Sequence, residues 1–189
     1  MRIALGQINT TVGDLAGNAA RMTRMAGEAA AAGARMIVFP ELSVTGYPPR
    51  DLVEKASFRE RSEEWVERIA AETAGLPVAL VVGYVGRSDS PLGKRATNSA
   101  AVLERGTVVF RQSKMLLPTY DVFDEARYFV PAETQSLFEL DGRRIALTIC
   151  EDAWNDKQFW ERPLYRRDPV GELARAGAEL LVSINASPY

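Results

Sequence analysis

Histidine is absent from the 189-residue sequence, and cysteine occurs once. The first absence excludes Ser-His-Asp and Cys-His nucleophile pairs, histidine-based zinc sites, and any side chain whose unperturbed pKa lies near neutrality. Acid and base work must then fall to carboxylates, lysines or tyrosines with shifted pKa values. A single cysteine cannot close an intramolecular disulfide, so a disulfide framework is excluded as well. An excess of either charge is also missing: 23 Lys+Arg stand against 25 Asp+Glu, a net charge of −2, which argues against nucleic acid as the main partner. No apolar run approaches the roughly 18 residues that would span a bilayer. The N-terminal Arg2-Ile3-Ala4-Leu5-Gly6-Gln7-Ile8 lacks the long apolar stretch of a signal peptide. These absences lead to the expectation of a cytoplasmic protein with no membrane and no nucleic-acid partner.

What is present is the composition of an ordinary globular chain, 47% hydrophobic and 25% charged, long enough for one domain with a sizeable core. Short apolar runs alternate with amphipathic stretches, the pattern of an α/β fold. Strands are expected at Arg2 to Asn9, Arg35 to Phe39 and Val78 to Val85. Two hairpins are expected, one pairing Ala96 to Leu103 with Thr107 to Gln112, the other pairing Leu137 to Leu140 with Arg144 to Ile149 around Asp141-Gly142. A last strand spans Glu179 to Asn185. Helices are expected at Asp14 to Ala32, closed by Gly33, at Ser57 to about Ala74 with Ser57 as N-cap, and near Pro169 to Ala176. Consecutive strands with no helix between them make the sheet mixed. The chain ends on Asn185-Ala186-Ser187-Pro188-Tyr189, a strand running into a loop with no following element, which reads as a fragment of something longer.

Three reactive side chains fall just after strands: Glu41 after Phe39-Pro40, Lys114 after Val108 to Gln112, and Cys150 after Arg144 to Ile149. Strand ends fix the origin of short loops, and catalytic groups collect there. Taken singly each has a plainer reading, a buried small hydrophobe for Cys150 and solvated surface charges for Glu41 and Lys114. Their neighbourhoods, Phe39-Pro40-Glu41-Leu42-Ser43-Val44-Thr45-Gly46-Tyr47-Pro48-Pro49 and Cys150-Glu151-Asp152-Ala153-Trp154, are too rich in aromatics, proline and glycine to be solvent-facing.

Together the three make a hydrolase of amides. A thiol needs a base near neutral pH, and Glu41 is placed to take its proton. Attack on an amide carbonyl creates an oxyanion, for which Lys114 supplies a fixed charge and the backbone N–H of Glu151 a donor.

Phe39-Pro40-Glu41, Ser113-Lys114-Met115-Leu116-Leu117-Pro118 and Cys150-Glu151-Asp152, in this order, resemble the three signatures of the nitrilase superfamily of carbon–nitrogen hydrolases. Gly46-Tyr47-Pro48-Pro49-Arg50-Asp51-Leu52 and Phe123-Asp124-Glu125-Ala126-Arg127-Tyr128-Phe129 are similar to stretches of the glutaminase domain of glutamine-dependent NAD⁺ synthetases. The resemblance runs through residues 1–189. It implies a nitrilase-like α-β-β-α sandwich of mixed sheets, incomplete at its C-terminal end, with L-glutamine as substrate and no cofactor or metal of its own. It further implies that Tyr47, Tyr120 and Ser187 line the substrate pocket and that Glu125 positions the lysine.

The plainer readings are gap-filling aromatics for Tyr47 and Tyr120, an ion pair of Glu125 with Arg127, and a turn residue before Pro188 for Ser187. By the same resemblance the ammonia produced serves the ATP- and magnesium-dependent amidation of nicotinic acid adenine dinucleotide in a C-terminal synthetase domain, within a homo-oligomer. No Ser-Gly-Gly-x-Asp-Ser loop for ATP occurs in this sequence. A stand-alone amidase or carbamoylase and a non-catalytic scaffold are the alternatives. The aromatic and charged segment 155–168 is expected to cover the pocket mouth, to dock on a neighbouring subunit, or to be a solvated excursion.

Overall fold

Apolar residues at Leu15, Ala19, Met22, Ala26 and Ala29 recur at spacings of four and three, so one face of helix α1 (Leu15–Ala31) is buried along its length. Asp14 begins it by accepting from the Gly17 N–H at 2.9 Å. Gly33, at φ +73°, ends it in the left-handed conformation that an L side chain resists. The computed structural model describes residues 1–90, 92–120, 123–155 and 162–187.

The first sheet has the order β1-β2-β3-β4-β5, from β1 (Ile3–Leu5), β2 (Met36–Val38), β3 (Ala79–Arg87), β4 (Ala96–Glu104) and β5 (Thr107–Ser113). β1, β2 and β3 run parallel, whereas β4 and β5 form an antiparallel hairpin on β3. The second sheet has the order β6-β7-β8, from β6 (Leu137–Leu140), β7 (Arg143–Ile149) and β8 (Leu180–Ile184). The expected mixed sheets are thus observed.

β3 shows why its sequence is a continuous apolar run. Leu80, Val82 and Tyr84 pack with α1 and with α2 (Ala56–Glu72), while Ala79 and Val81 face the second sheet. Between the sheets lie Met36, Ala100 and Val102 on one side and Phe138, Ile145, Leu147, Ile149 and Ile184 on the other. Full burial of each such side chain stabilises by about 1.5–3 kcal/mol. Helix α4 (Pro169–Arg175), begun by Asp168 accepting from Gly171 N–H, packs outside β7. The layers are therefore helix, sheet, sheet, helix, the α-β-β-α sandwich that the resemblance implies.

Two expectations are corrected. Ser57 does not cap α2; the helix starts one residue earlier at Ala56, with Lys55 in the cap position and no side-chain cap bond. The 3-10 turn Arg50–Glu54 leads directly into it, and the Arg59 guanidinium donates to the carbonyls of Val53 and Glu54, tying that turn to the first turn of α2. The first strand is three residues rather than eight, because β1 is an edge strand paired only to β2 and its Leu5 is exposed.

Candidate active site

Beyond β2 the chain turns back over β3. Leu42 there has φ +50°, a costly conformation for a branched side chain, yet it is fully buried. The crossing depends on Gly83: a Cβ at that position would lie 2.2 Å from Leu42 N. Gly83 N–H donates to Ser43 Oγ at 3.0 Å, and Val44 N–H donates to Gly83 O at 2.9 Å. Glu41 is held between these anchors. Its Oε2 accepts from the Ala186 N–H at 3.0 Å, so the segment after β8 also fixes it.

Lys114 follows β5 and is fully buried. Its N–H donates to Asn98 O at 2.8 Å. Its ammonium donates to Glu41 Oε1 at 2.8 Å and to Glu125 Oε1 and Oε2 at 3.0 and 2.9 Å. Burial pulls the amine down, but Glu41 and Glu125 more than offset it, and Lys114 is held above its ordinary value as a fixed cation. Burial and the nearby Glu41 charge raise Glu125 despite the lysine. Glu125 is thus the member of this cluster that burial favours in the protonated form.

Glu125 opens the short helix α3 (Glu125–Tyr128) and is buried. The Tyr47 hydroxyl donates to its Oε1 at 3.1 Å. Burial first, then the negative charge of Glu125, raise Tyr47 and keep that hydroxyl a neutral donor. Asn98 on β4 donates through Nδ2 to Glu41 Oε1 at 2.7 Å and to Glu125 Oε2 at 3.2 Å, and so spaces the two carboxylates. Its Oδ1 is buried with no partner among the described residues.

Cys150 stands where β7 passes into the 3-10 turn Cys150–Ala153, at φ +47°. Backbone strain of this kind collects at functional positions. Burial pushes the thiol up to about 11, with the Glu41 charge adding and Lys114 opposing, so it rests protonated. Sγ lies 3.6 Å from Ser187 Oγ.

Asp152 ties this turn to the lysine loop. Its Oδ1 accepts from the N–H groups of Met115 and Leu116 at 2.9 and 2.8 Å, and its Oδ2 from Ile149 N–H at 3.1 Å. Burial outweighs these three donors and pushes its carboxyl up to about 6.

A cavity of about 420 Å³ opens onto this cluster, lined among others by Tyr47, Glu125, Phe129, Ala186 and Ser187. That volume suits a small ligand. Of the residues named from the sequence, Glu41, Lys114 and Glu125 meet directly, Tyr47 and Ser187 join them at the cavity, and Cys150 meets Ser187. Glu125 bonds the lysine rather than Arg127, whose carboxylate neighbour is Asp124 at 3.9 Å.

Tyr120 is not among the residues that line this cavity. It is 45% exposed, and its hydroxyl donates at 2.7 Å to Glu151 Oε2. Tyr165 donates to the other Glu151 oxygen at 2.8 Å. Buried Glu151 is thus an anchor for two loops through its side chain, an arrangement not anticipated from the sequence. Asn155 donates to Tyr165 O and Arg167 O, so the described end of the segment 155–168 packs against the cysteine turn. Residues 156–161 of that segment, Asp121 and Val122 of the Tyr120 motif, and Pro188-Tyr189 lie outside the described residues.

Asn98, Gly83 and Asp152 were not read as site residues from the sequence. A visible signal existed for Asn98, a polar amide within the buried run Ala96-Thr97-Asn98-Ser99-Ala100.

A model of the carbon–nitrogen hydrolase family matches residues 2–162. The chain belongs to the carbon–nitrogen hydrolase family. It is 41% identical over 190 residues to a glutamine-dependent NAD⁺ synthetase of Synechocystis sp., covering 99% of this chain and 34% of that protein. It is 33% identical to the Thermotoga maritima synthetase, covering 100% of this chain and 30% of that one. This carbon–nitrogen hydrolase chain therefore spans about a third of the length of the curated relatives it matches.

Among solved structures it is similar to the Acinetobacter baumannii glutamine-dependent NAD⁺ synthetase in complex with ADP. The TM-score is 0.82 at 31% identity, covering 99% of this chain and 32% of that chain. It is also similar to an amidase of Nesterenkonia sp. AN1 whose active-site cysteine has added acrylamide, with a TM-score of 0.77 at 25% identity, covering 98% of this chain and 66% of that chain.

Proposed function

We propose that residues 1–189 form the glutaminase unit of a glutamine-dependent NAD⁺ synthetase, with Cys150 as nucleophile, Glu41 as base and acid, and Lys114 as the fixed charge. The observation that carries this reading is the buried Lys114 ammonium bonded to both Glu41 and Glu125, of which Glu125 lines a small cavity together with Ser187, the contact of Cys150 Sγ. No imidazole is needed, because one carboxylate serves in both directions.

The steps follow from the groups present. Glu41 takes the Cys150 proton as sulfur attacks the side-chain carboxamide of glutamine. The oxyanion that forms is stabilised by Lys114 and the Glu151 N–H. As the C–N bond breaks, Glu41 returns its proton to nitrogen, and ammonia leaves a glutamyl thioester on Cys150. Glu41 then takes a proton from water as the water attacks the thioester. Glutamate departs and the thiolate is reprotonated. Tyr47 and Ser187 line the substrate cavity, Glu125 keeps Lys114 charged and placed, and Tyr120 braces Glu151, the residue after the nucleophile, through its hydroxyl.

Ammonia would serve the amidation of nicotinic acid adenine dinucleotide in a C-terminal domain, and ATP and magnesium belong to that domain, so no step in this chain runs through them. The similarity of the chain to NAD⁺ synthetases throughout its length favours this reading over a stand-alone amidase.

The test is Cys150→Ala in the full-length protein. Glutamine-dependent NAD⁺ formation should vanish while ammonia-dependent formation continues at the wild-type rate. Loss of both, or survival of both, contradicts the division of labour.

A further inference from the structure

A second, smaller cavity of about 200 Å³ lies on the other side of Tyr128 from the substrate cavity, and Tyr128 lines both. Its charged lining is lopsided. Arg59 comes from α2, Lys94 and Arg95 from the loop before β4, and Arg127 from α3, against Glu54 as the one carboxylate among the described lining residues.

The pairing of these cations is incomplete. Arg127 meets Asp124 only at 3.9 Å between two well-exposed side chains, a weak pair. Lys94 and Arg59 donate to main-chain carbonyls, not to carboxylates. Arg59 is 8% exposed, and its Nε is buried without an acceptor among the described residues. That Nε is closed off from the cavity, so it is the charge of Arg59, not this N–H, that the cavity presents to an occupant. The volume is below the roughly 300–1,000 Å³ of sites for drug-sized ligands, so the occupant is small.

We propose that this cavity binds a small oxyanion of the phosphate type, held by Arg59, Lys94, Arg95 and Arg127. Arginine forks match phosphate oxygens, and several donors converging on one dianion give stronger bonds than they give a monoanion. The position has a consequence for the neighbouring cavity. α3 carries Glu125 at its first residue and Arg127 at its third, so an anion on Arg127 steadies the same turn that presents Glu125 to Lys114.

The experiment is a titration of the full-length protein with inorganic phosphate at constant ionic strength, followed by calorimetry, in wild type and in Lys94→Ala/Arg95→Ala. Both residues are exposed, and neither belongs to the catalytic cluster. Wild type should bind saturably, and the double variant should bind at least about tenfold more weakly, since two charge-assisted contacts are gone. Sulfate should displace phosphate, and acetate should not. An absence of saturable binding, binding unchanged in the double variant, or equal displacement by acetate would each overturn the proposal. Because binding is measured without turnover, the result is independent of whether Cys150 hydrolyses glutamine. Near-ultraviolet circular dichroism of the double variant guards against misfolding, and rescue of affinity by Lys94→Arg/Arg95→Lys, which restores charge, separates a binding role from a structural one.

Discussion

Glu125 places both carboxylate oxygens on the Lys114 ammonium, Oε1 at 3.0 Å and Oε2 at 2.9 Å. The lysine is thereby oriented by a group other than Glu41. Glu41 shares one oxygen with the lysine and gives the other to the Ala186 N–H, so its position is set from two sides before any substrate arrives. A group that has to meet a reacting atom benefits from being held in place before that atom arrives.

Glu125→Gln keeps the shape of the side chain and removes half of the counter-charge around Lys114. Glutaminase kcat of the full-length protein should fall by about 10²-fold, with a small change in KM. Glu125→Ala leaves the buried amine with one carboxylate and should also destabilise the fold by about 3–5 kcal/mol, measured by urea unfolding. Wild-type kcat in Glu125→Gln would remove the positioning role.

Asp152→Asn tests the link between the cysteine turn and the lysine loop. The amide oxygen can replace Oδ1 toward Met115 and Leu116 N–H, but its NH₂ group then faces Ile149 N–H, donor against donor. The turn that carries Cys150 should shift, and a misplacement near 1 Å costs about 10²-fold in rate. The expected outcome is a loss in kcat far larger than the loss in thermal stability. Equal rates in variant and wild type would show that the Ile149 bond is dispensable.

Gly83→Ala drives a methyl carbon into the backbone of Leu42, which a Cβ would approach to 2.2 Å. Main chain cannot yield as a flexible side-chain end would, so the loop bearing Glu41 must move. Glutamine-dependent activity should drop by about 10²-fold or more, while ammonia-dependent NAD⁺ formation by the same full-length protein persists. Gly93→Ala is the control, since nothing lies within 4 Å of a Cβ placed there. Its rates should change little, although its φ of +80° makes a modest stability loss expected.

The parts of this molecule that were legible in the sequence are those whose signal is local. α1 follows from apolar residues at spacings of four and three, and both hairpins from Arg105-Gly106 and Asp141-Gly142, whose positive φ values suit tight turns. Glu41, Lys114 and Cys150 stood out because each follows an apolar strand. What stayed hidden depends on partners far along the chain. Gly83 reads as an ordinary strand glycine until the Leu42 loop is laid across it, and Asn98 as a stray polar residue until Glu41 and Glu125 are placed on either side. Asp152 sits inside the Cys150-Glu151-Asp152 motif, yet two of its three donors lie on the lysine loop, far along the chain, and the third at the end of β7. Ser57 was misread as a cap because the 3-10 turn Arg50–Glu54, invisible to periodicity, hands the chain to α2 two residues earlier, at Lys55. Tyr120 was matched to the pocket by pattern, whereas its hydroxyl is spent on Glu151.

The pH dependence of thiol reactivity separates an activated nucleophile from a merely buried cysteine. Burial and the Glu41 charge lift Cys150 from its ordinary 9.0 to about 11, so at pH 7 roughly 10⁻⁴ of the thiol is ionised. A small neutral reagent without an amide, such as methyl methanethiosulfonate, needs the thiolate. Its rate with Cys150 should therefore rise about tenfold per pH unit from 7 to 10 and level off near 11. If Glu41 takes the proton as sulfur attacks, as proposed, the rate with a glutamine-like chloroketone should be higher at pH 7 and much flatter. Glu41→Gln should abolish that advantage and give the chloroketone the steep profile of the simple reagent. The same shift predicts a stability effect of definite sign. The folded value is raised, so the contribution is complete below 9.0, is lost as the pH rises through about 11, and should be missing from the alkaline limb of Cys150→Ala. A chloroketone profile as steep in wild type as in Glu41→Gln would show that Glu41 does not take the proton.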